Sequence, residues 1–418
     1  MTAEQLTTPV VIIGAGPAGV GTSIYLSLAG IPHIIIEKET FPRDKVCGDA
    51  ISGKSAHVLR KANSAWLQEI YKEPASFTPS NGIIFVAPNG KSLNIPYGDN
   101  LRPGELAAGF TSPRLVFDNF LFDKIDRTYA IVFQNASVKS IEKNPEGVTV
   151  HFTKDGATYQ VNASVIVGAD GDKGVVRKTF INDNASPKSY AVGLRAYYKG
   201  VEGMDRNNFI ELHFLPEVLP GYFWIFPLPN GMANIGVGIL SETIRAKKIN
   251  LREQMLKAIE KNPTINHRFK KAELIGKIQG WGLPMGMERQ QVSGDRFLLT
   301  GDAASLIDPF SGEGIGNALY SGMLAAEAIE KALKENQFEG AFFKEQYDDV
   351  LYKRLGDELK ISATLQRLCR YPWLFNFVVN KAHKSPSLSK TISCMFTDID
   401  LRDQLRKPSF YAKILFNR

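Results

Sequence analysis

Cysteine is scarce in this chain. Cys47, Cys369 and Cys394 are the only three in 418 residues, an odd number spread too widely for a disulfide framework or a cysteine-rich zinc site. That usage fits a reducing compartment. The six histidines, His33, His57, His151, His213, His267 and His383, form no ligand-spaced pair, so metal chemistry is not expected. No segment approaches the ~18 uninterrupted apolar residues that argue for a membrane span. The start Met1-Thr2-Ala3-Glu4-Gln5 lacks the basic opening of a signal peptide. These absences predict a cytoplasmic protein. Charge is not lopsided either: 50 Lys and Arg stand against 43 Asp and Glu, an excess compatible with anionic ligands or a membrane surface and a poor footprint for nucleic acid. What remains is an ordinary globular balance, 44% hydrophobic and 22% charged, at a length that suggests two or three domains.

Two distant segments carry glycines where chemistry would need them. Near the start, the apolar strand Pro9-Val10-Val11-Ile12-Ile13 runs into Gly14-Ala15-Gly16-Pro17-Ala18-Gly19 and then a helical pattern through Ile24, Leu26, Leu28 and Ala29. Strand, loop and helix stand in the order of a Rossmann-type dinucleotide site. The first glycine permits the turn, the second admits a pyrophosphate to the backbone, and the third lets helix pack on strand. A second strand, His33-Ile34-Ile35-Ile36, ends at Glu37, near the spacing at which a carboxylate grips the ribose hydroxyls of adenosine and disfavours a 2′-phosphate.

The other segment is Thr300-Gly301-Asp302 through Asp308-Pro309-Phe310-Ser311-Gly312-Glu313-Gly314-Ile315. It follows the strand-like run Phe297-Leu298-Leu299. It precedes a helix whose Ile315, Ala318, Leu319, Gly322, Ala326 and Ile329 share a face. Asp302 at the strand end suits a hydroxylated linker, and the helix N-terminus suits a ring that becomes anionic on reduction. Taken alone, this segment is also compatible with a glycine-rich turn before an ordinary amphipathic helix.

Further segments decide between FAD and NAD. Phe41-Pro42-Arg43-Asp44-Lys45-Val46-Cys47-Gly48-Asp49 is a polar turn, Arg114 opens an amphipathic helix, and Val165-Ile166-Val167-Gly168 ends in Ala169-Asp170-Gly171. Together these resemble the flavoprotein superfamily that includes p-hydroxybenzoate hydroxylase. The turn Pro42–Gly48, with Tyr222-Phe223-Trp224-Ile225-Phe226-Pro227 and Gly236-Val237-Gly238, is similar to the geranylgeranyl reductase family over nearly the whole chain. The lysine that often follows the family's proline is Leu228 here. The resemblance implies FAD contacts at Ala18, Glu37, Cys47, Gly48, Ala50, Arg114, Val138, Asp302, Gly314 and Ile315, to which the glycine and loop readings add Gly14, Gly16, Gly19, Asp170, Pro309 and Gly312.

Alternation predicts that Tyr222, Trp224 and Phe226 leave one face of a strand, either as a buried sheet face or as the wall of an apolar pocket. The family signature favours the wall. The resemblance also puts Cys47 near the flavin ring. Nearby Arg43 and Lys45 would favour its thiolate, whereas an apolar lining would keep the proton.

The expected architecture is α/β: a discontinuous FAD-binding domain over 1–78, 105–182 and 287–335, a mostly antiparallel substrate domain over 79–104 and 183–286, and a helical region over 336–418. Residues 359–418 hold eleven Lys or Arg and three Asp. That tail reads as a solvated helical region, with a peripheral rest on the cytoplasmic face of a membrane or a cap over the cavity as alternatives. The expected activity is FAD-dependent reduction of C=C bonds in a prenyl or similar apolar chain. Cys47 would serve as acid and Tyr222 and Trp224 would orient the chain. Electrons would come from NAD(P)H or a ferredoxin-like carrier, since no second nucleotide fingerprint is visible. The alternative is a flavin monooxygenase or halogenase acting on an aromatic or polyketide-like substrate. The oligomeric state is left open by the sequence.

Overall fold

The computed structural model describes residues 4–97, 109–181 and 187–385. Cys394, most of the basic tail and the ends of several expected segments lie outside them.

Two sheets with different sequence patterns carry the molecule. The first is built on Glu4–Ile13, whose Val10 to Ile13 are all buried, the unbroken apolar run of a parallel strand covered on both faces. It pairs in parallel with His33–Ile36 on one side and Ala157–Gly168 on the other. Phe297–Leu299 and Ala130–Phe133 extend these to a five-strand parallel core, and Ser293–Gly294, Ala136–Asn144 and Gly147–Lys154 add antiparallel edges. The first strand starts earlier than its apolar run because Glu4 to Thr8 continue the ladder against Tyr159 to Ala163. Ile13, Ile36, Gly168 and Leu299 therefore end at the same edge, and the loops after them gather there, as ligand-binding loops do in doubly wound sheets.

Helices Pro17–Leu28 and Ile315–Glu335 pack against each other beside this sheet. The second is not the one-faced helix that the sequence predicts: from Ile315 through Ala326 every residue is buried. Its polar positions point inward to backbone. Asn317 Nδ2 donates to Leu306 O at 2.7 Å, and Ser321 Oγ accepts from Gly301 N at 3.0 Å, so this helix holds the Gly301–Ile315 loop in place.

The second sheet has seven strands in the order Glu273–Pro284, Tyr190–Lys199, Met232–Leu240, Tyr222–Pro227, Ile210–His213, Gly82–Val86 and Ser92–Pro96. All its pairings are antiparallel except that between Ile210–His213 and Gly82–Val86. Alternation separates its faces. Phe223 and Ile225 pack with Met255 and Ile259 of helix Leu251–Lys261, while Tyr222, Trp224 and Phe226 face the other way with Leu212 and Phe310. The Trp224 indole lies over Gly236, where a Cβ would stand 2.1 Å from the ring, so only glycine fits beneath it. Helix Pro372–Lys384 closes this side with Val379 and Ala382, whereas helix Asp349–Leu368 buries Leu351, Leu355 and Leu359 in the first sheet's core.

Candidate active site

A cavity of about 660 Å³ opens where the gathered loops meet the aromatic face of the second sheet. Gly16 and Ala18 line one end. Cys47, Gly48, Ala50 and Arg114 line its middle, and Asp302, Gly312, Gly314 and Ile315 form the side opposite. Tyr222, Trp224 and Phe226 supply the aromatic wall, continued by Ile83, Ile210 and Leu212. The two sheets are tied across the cavity by Tyr222 Oη–H, which donates to Ser311 O.

The first end is built for a pyrophosphate. Gly14 has φ +99° and a Cβ there would lie 2.4 Å from Ala169 O, so the turn requires glycine. Helix Pro17–Leu28 begins at Gly16 with no side-chain cap, leaving first-turn amides facing the cavity. A Cβ on Gly16 would stand in ordinary van der Waals contact with Arg43 Nη2, 3.6 Å away, so the guanidinium lies beside the loop. An uncapped helix N-terminus beside a guanidinium offers the donors that a phosphate would need, and these residues fit FAD. At the other helix N-terminus the amide of Gly316 is taken by the Glu313 carboxylate. Burial, against that amide and Lys54, pushes the Glu313 pKa up.

Six expected contacts do not line the cavity. Gly14 and Gly19 shape the loop beneath it. Glu37 is buried and accepts from Ala15 N at 2.6 Å and Glu39 N at 2.9 Å, pinning the glycine loop to the second strand. Asp170 turns to helix Val175–Phe180, whose N-cap is Gly174 and has no side chain to offer; Asp170 Oδ2 accepts from Val176 N at 3.1 Å. Burial pushes its carboxyl up to about 6. Its neighbours Ala169 and Gly171 line the cavity instead. Val138 sits opposite Phe152 and packs on the first sheet's core. Pro309 is buried between Asp308 and Phe310, which do line the cavity.

Around Cys47 the structure adds residues to which the sequence reading gave no role. Asp49, fully buried with φ +65°, accepts from Tyr197 Oη at 2.7 Å and Asn234 Nδ2 at 2.8 Å. Asn234 Nδ2 also donates to Cys47 O at 2.7 Å, and its Oδ1 accepts from Trp224 Nε1 at 2.8 Å. One amide thus couples the cysteine turn to the aromatic wall. Arg195 lies over Tyr197 at 4.1 Å and donates to Asp44 at 2.7 Å. A signal for Asn234 was present: it is the lone strongly polar residue in Met232-Ala233-Asn234-Ile235-Gly236-Val237.

Electrostatics resolve the question that the sequence left open at Cys47. Burial pushes its thiol up and outweighs Arg114, which pulls it down; Asp49 adds to the rise. The pull of Arg114 is blunted because Asp118 neutralises it through contacts of 2.5 and 2.7 Å. Burial would raise the Asp118 carboxyl, but Arg114 and Arg43 hold it below the usual range. Cys47 therefore keeps its proton near neutral pH. Burial also lifts Asp49 to about 6, against the hydrogen bonds from Asn234 and Tyr197. Among the described residues no group of three His, Cys, Asp or Glu could hold a metal ion.

Known proteins share this fold. The chain is 27% identical over 375 residues to a digeranylgeranylglycerophospholipid reductase of Methanococcus vannielii, covering 88% of this chain and 89% of that one. It is 29% identical to a menaquinone reductase of Mycolicibacterium smegmatis, covering 77% and 76%. A geranylgeranyl bacteriochlorophyll reductase-like protein of Thermoplasma acidophilum superposes with a TM-score of 0.79 at 20% identity, over 96% of this chain and 99% of that one. The fold extends to halogenation enzymes as well: the flavin-dependent brominase Bmp2 superposes with a TM-score of 0.72 at 21% identity, over 97% and 100%. Residues 7–340 match the FAD binding domain family, and with the uncapped helix N-terminus and the gathered glycine loops in place, the chain belongs to that family.

Proposed function

We propose that this FAD-dependent oxidoreductase reduces C=C bonds in a prenyl or other apolar lipid chain. The observation that carries the reading is the place of Cys47 in the cavity between the flavin-side loops and an aromatic wall, where burial pushes its thiol up and favours the protonated form. When bound and reduced, FAD supplies the hydride equivalent. An isolated alkene has no electron sink, so a proton must accompany the hydride, and positive character develops at the more substituted carbon. The Cys47 thiol holds a proton at Sγ. Trp224 and Tyr222 orient the chain and face developing positive charge with their rings. Ile83, Ile210 and Leu212 keep that end apolar.

The relatives named as reductases support this reading. The electron donor is a nicotinamide cofactor or a ferredoxin-like carrier. The halogenase alternative fits less well: its Trp-x-Trp-x-Ile-Pro pattern is met only by Trp224 and Pro227, with Tyr222 and Phe226 in the other places.

A lipid substrate also calls for access from a bilayer. Among the described residues no helix is long and apolar enough to cross a membrane. Helix Pro372–Lys384 turns Val379 and Ala382 toward the cluster that contains Trp224 and leaves Trp373 69% and Phe377 39% exposed. This helix is our candidate for peripheral contact.

The test is anaerobic incubation of the chemically reduced holoprotein with a polyprenyl chain, followed by mass analysis. A gain of two hydrogens per saturated bond is expected. A product that forms only with oxygen and gains an oxygen atom would overturn the proposal.

A further inference from the structure

The cavity has a second branch whose chemistry differs from the aromatic end. It runs between helix Gly53–Ala62, the start of helix Ile315–Glu335 and helix Asp349–Leu368, and is lined by Lys54, His57, Arg60, Arg354, Glu358 and Ser362. His57 and Arg60 are three apart on one helix and so share a face; Arg354 and Glu358 are four apart on another.

The charges do not cancel. Lys54 is buried and committed: its Nζ donates to Asn317 Oδ1 at 2.5 Å and to both Glu358 oxygens at 3.0 Å. That pair is internally neutral. Arg60 and Arg354 are exposed, and among the described residues neither has an acidic partner. Two guanidiniums with a histidine beside them, at the mouth of a cavity whose other end is apolar, match a ligand with an anionic head and an apolar body. Guanidinium favours phosphate in particular, because its planar fork meets two oxygens at once.

We propose that Arg60 and Arg354, with His57, form a phosphate-binding subsite at this mouth. The phosphate has two chemically equivalent sources: the head of an amphiphilic substrate, or the phosphates of a nicotinamide cofactor approaching the flavin. The inference rests on the lipid-reductase reading above, but its test is a binding measurement that does not require turnover.

Calorimetry on the oxidised, FAD-loaded protein would compare a twenty-carbon polyprenyl phosphate with the corresponding alcohol, and NADPH with NADH. Wild type is expected to bind the phosphate roughly tenfold or more tightly than the alcohol, an advantage that shrinks with salt. The double variant Arg60→Gln/Arg354→Gln should lose that preference while binding the alcohol unchanged, and Arg60→Lys/Arg354→Lys should keep part of it. If the nicotinamide is the source, the Gln variant instead weakens NADPH and slows flavin reduction by it, with lipid binding unmoved. Wild type and Gln variant binding all four ligands alike would overturn the subsite. Failure of the reductase reading would appear separately, as tight phosphate binding without anaerobic alkene reduction.

Discussion

The two walls of the cavity are made by opposite means. The flavin-side wall comes from loops at the ends of parallel strands, and each contributes a short continuous stretch: Gly16 to Ala18, Cys47 to Ala50, Gly312 to Ile315. The aromatic wall comes from antiparallel neighbours, where Trp224 lies over Gly236 and reaches Asn234, and Asn234 reaches back to Cys47 and Asp49. The first kind of wall depends on backbone geometry and tolerates almost no side chain at its turns. The second depends on side-chain pairs and should degrade in steps.

Breaking the backbone wall should have the most far-reaching effect, because it removes the cofactor itself. A Cβ on Gly19 would lie 1.9 Å from Gly14 O, so Gly19→Ala is expected to reduce FAD content roughly tenfold or more, read by flavin absorbance of the purified protein. On the same wall, but at a side chain rather than a turn, Cys47→Ala should retain FAD yet slow alkene-dependent flavin reoxidation by about 10²-fold or more, the scale of a lost general acid. Unchanged single-turnover rates would remove Cys47 from the chemistry.

Asn234→Leu sits between the walls. It leaves Trp224 Nε1 and Asp49 each short of a partner, and it should cost about 1–3 kcal/mol in denaturant unfolding. Reoxidation slows while FAD content holds; a loss of FAD equal to that of Gly19→Ala would show that the two walls are not separable.

Asp49→Asn makes a finer cut. Because the Asp49 charge adds to the rise at Cys47, removing it should move the pH profile of Cys47 alkylation to lower pH. The same residue has a stability signature. Its folded pKa of about 6 exceeds the ordinary 3.8, so the fold binds the extra proton between those values. Its contribution is full below the lower value and lost as pH rises through about 6. Asp49→Asn should flatten that decline, measured by unfolding on either side of the window. The smallest effect belongs outside the cavity: Lys334→Ala, which removes an exposed pair with Glu330, should change stability by no more than ~0.5 kcal/mol and leave flavin content and turnover alone.

The same contrast explains what the sequence made legible. The glycine loops, the parallel strands and the alternation of Tyr222, Trp224 and Phe226 could be read because each is local and periodic. Asp170 was legible only as a strand-end acid beside a glycine, which can serve either a ligand or the next helix; its Oδ2 accepts from Val176 N, a contact that the sequence did not reveal. Glu37 was expected to face a ribose, whereas here its carboxylate meets the amides of Ala15 and Glu39. The network of Asp49, Tyr197 and Asn234 joins residues 148 and 185 positions apart, a pairing that no spacing rule reaches. Helix Ile315–Glu335 was read as one-sided because Asn317 and Ser321 look solvent-facing until the loop that they hold is seen.

The account stands on the two walls jointly enclosing a reducible ring and an alkene. Anaerobic stopped-flow of the dithionite-reduced holoprotein with a polyprenyl substrate tests that most directly. The prediction is complete flavin reoxidation driven by the alkene, slowed by about 10²-fold in Cys47→Ala. Flavin that stays reduced until oxygen is admitted would contradict it.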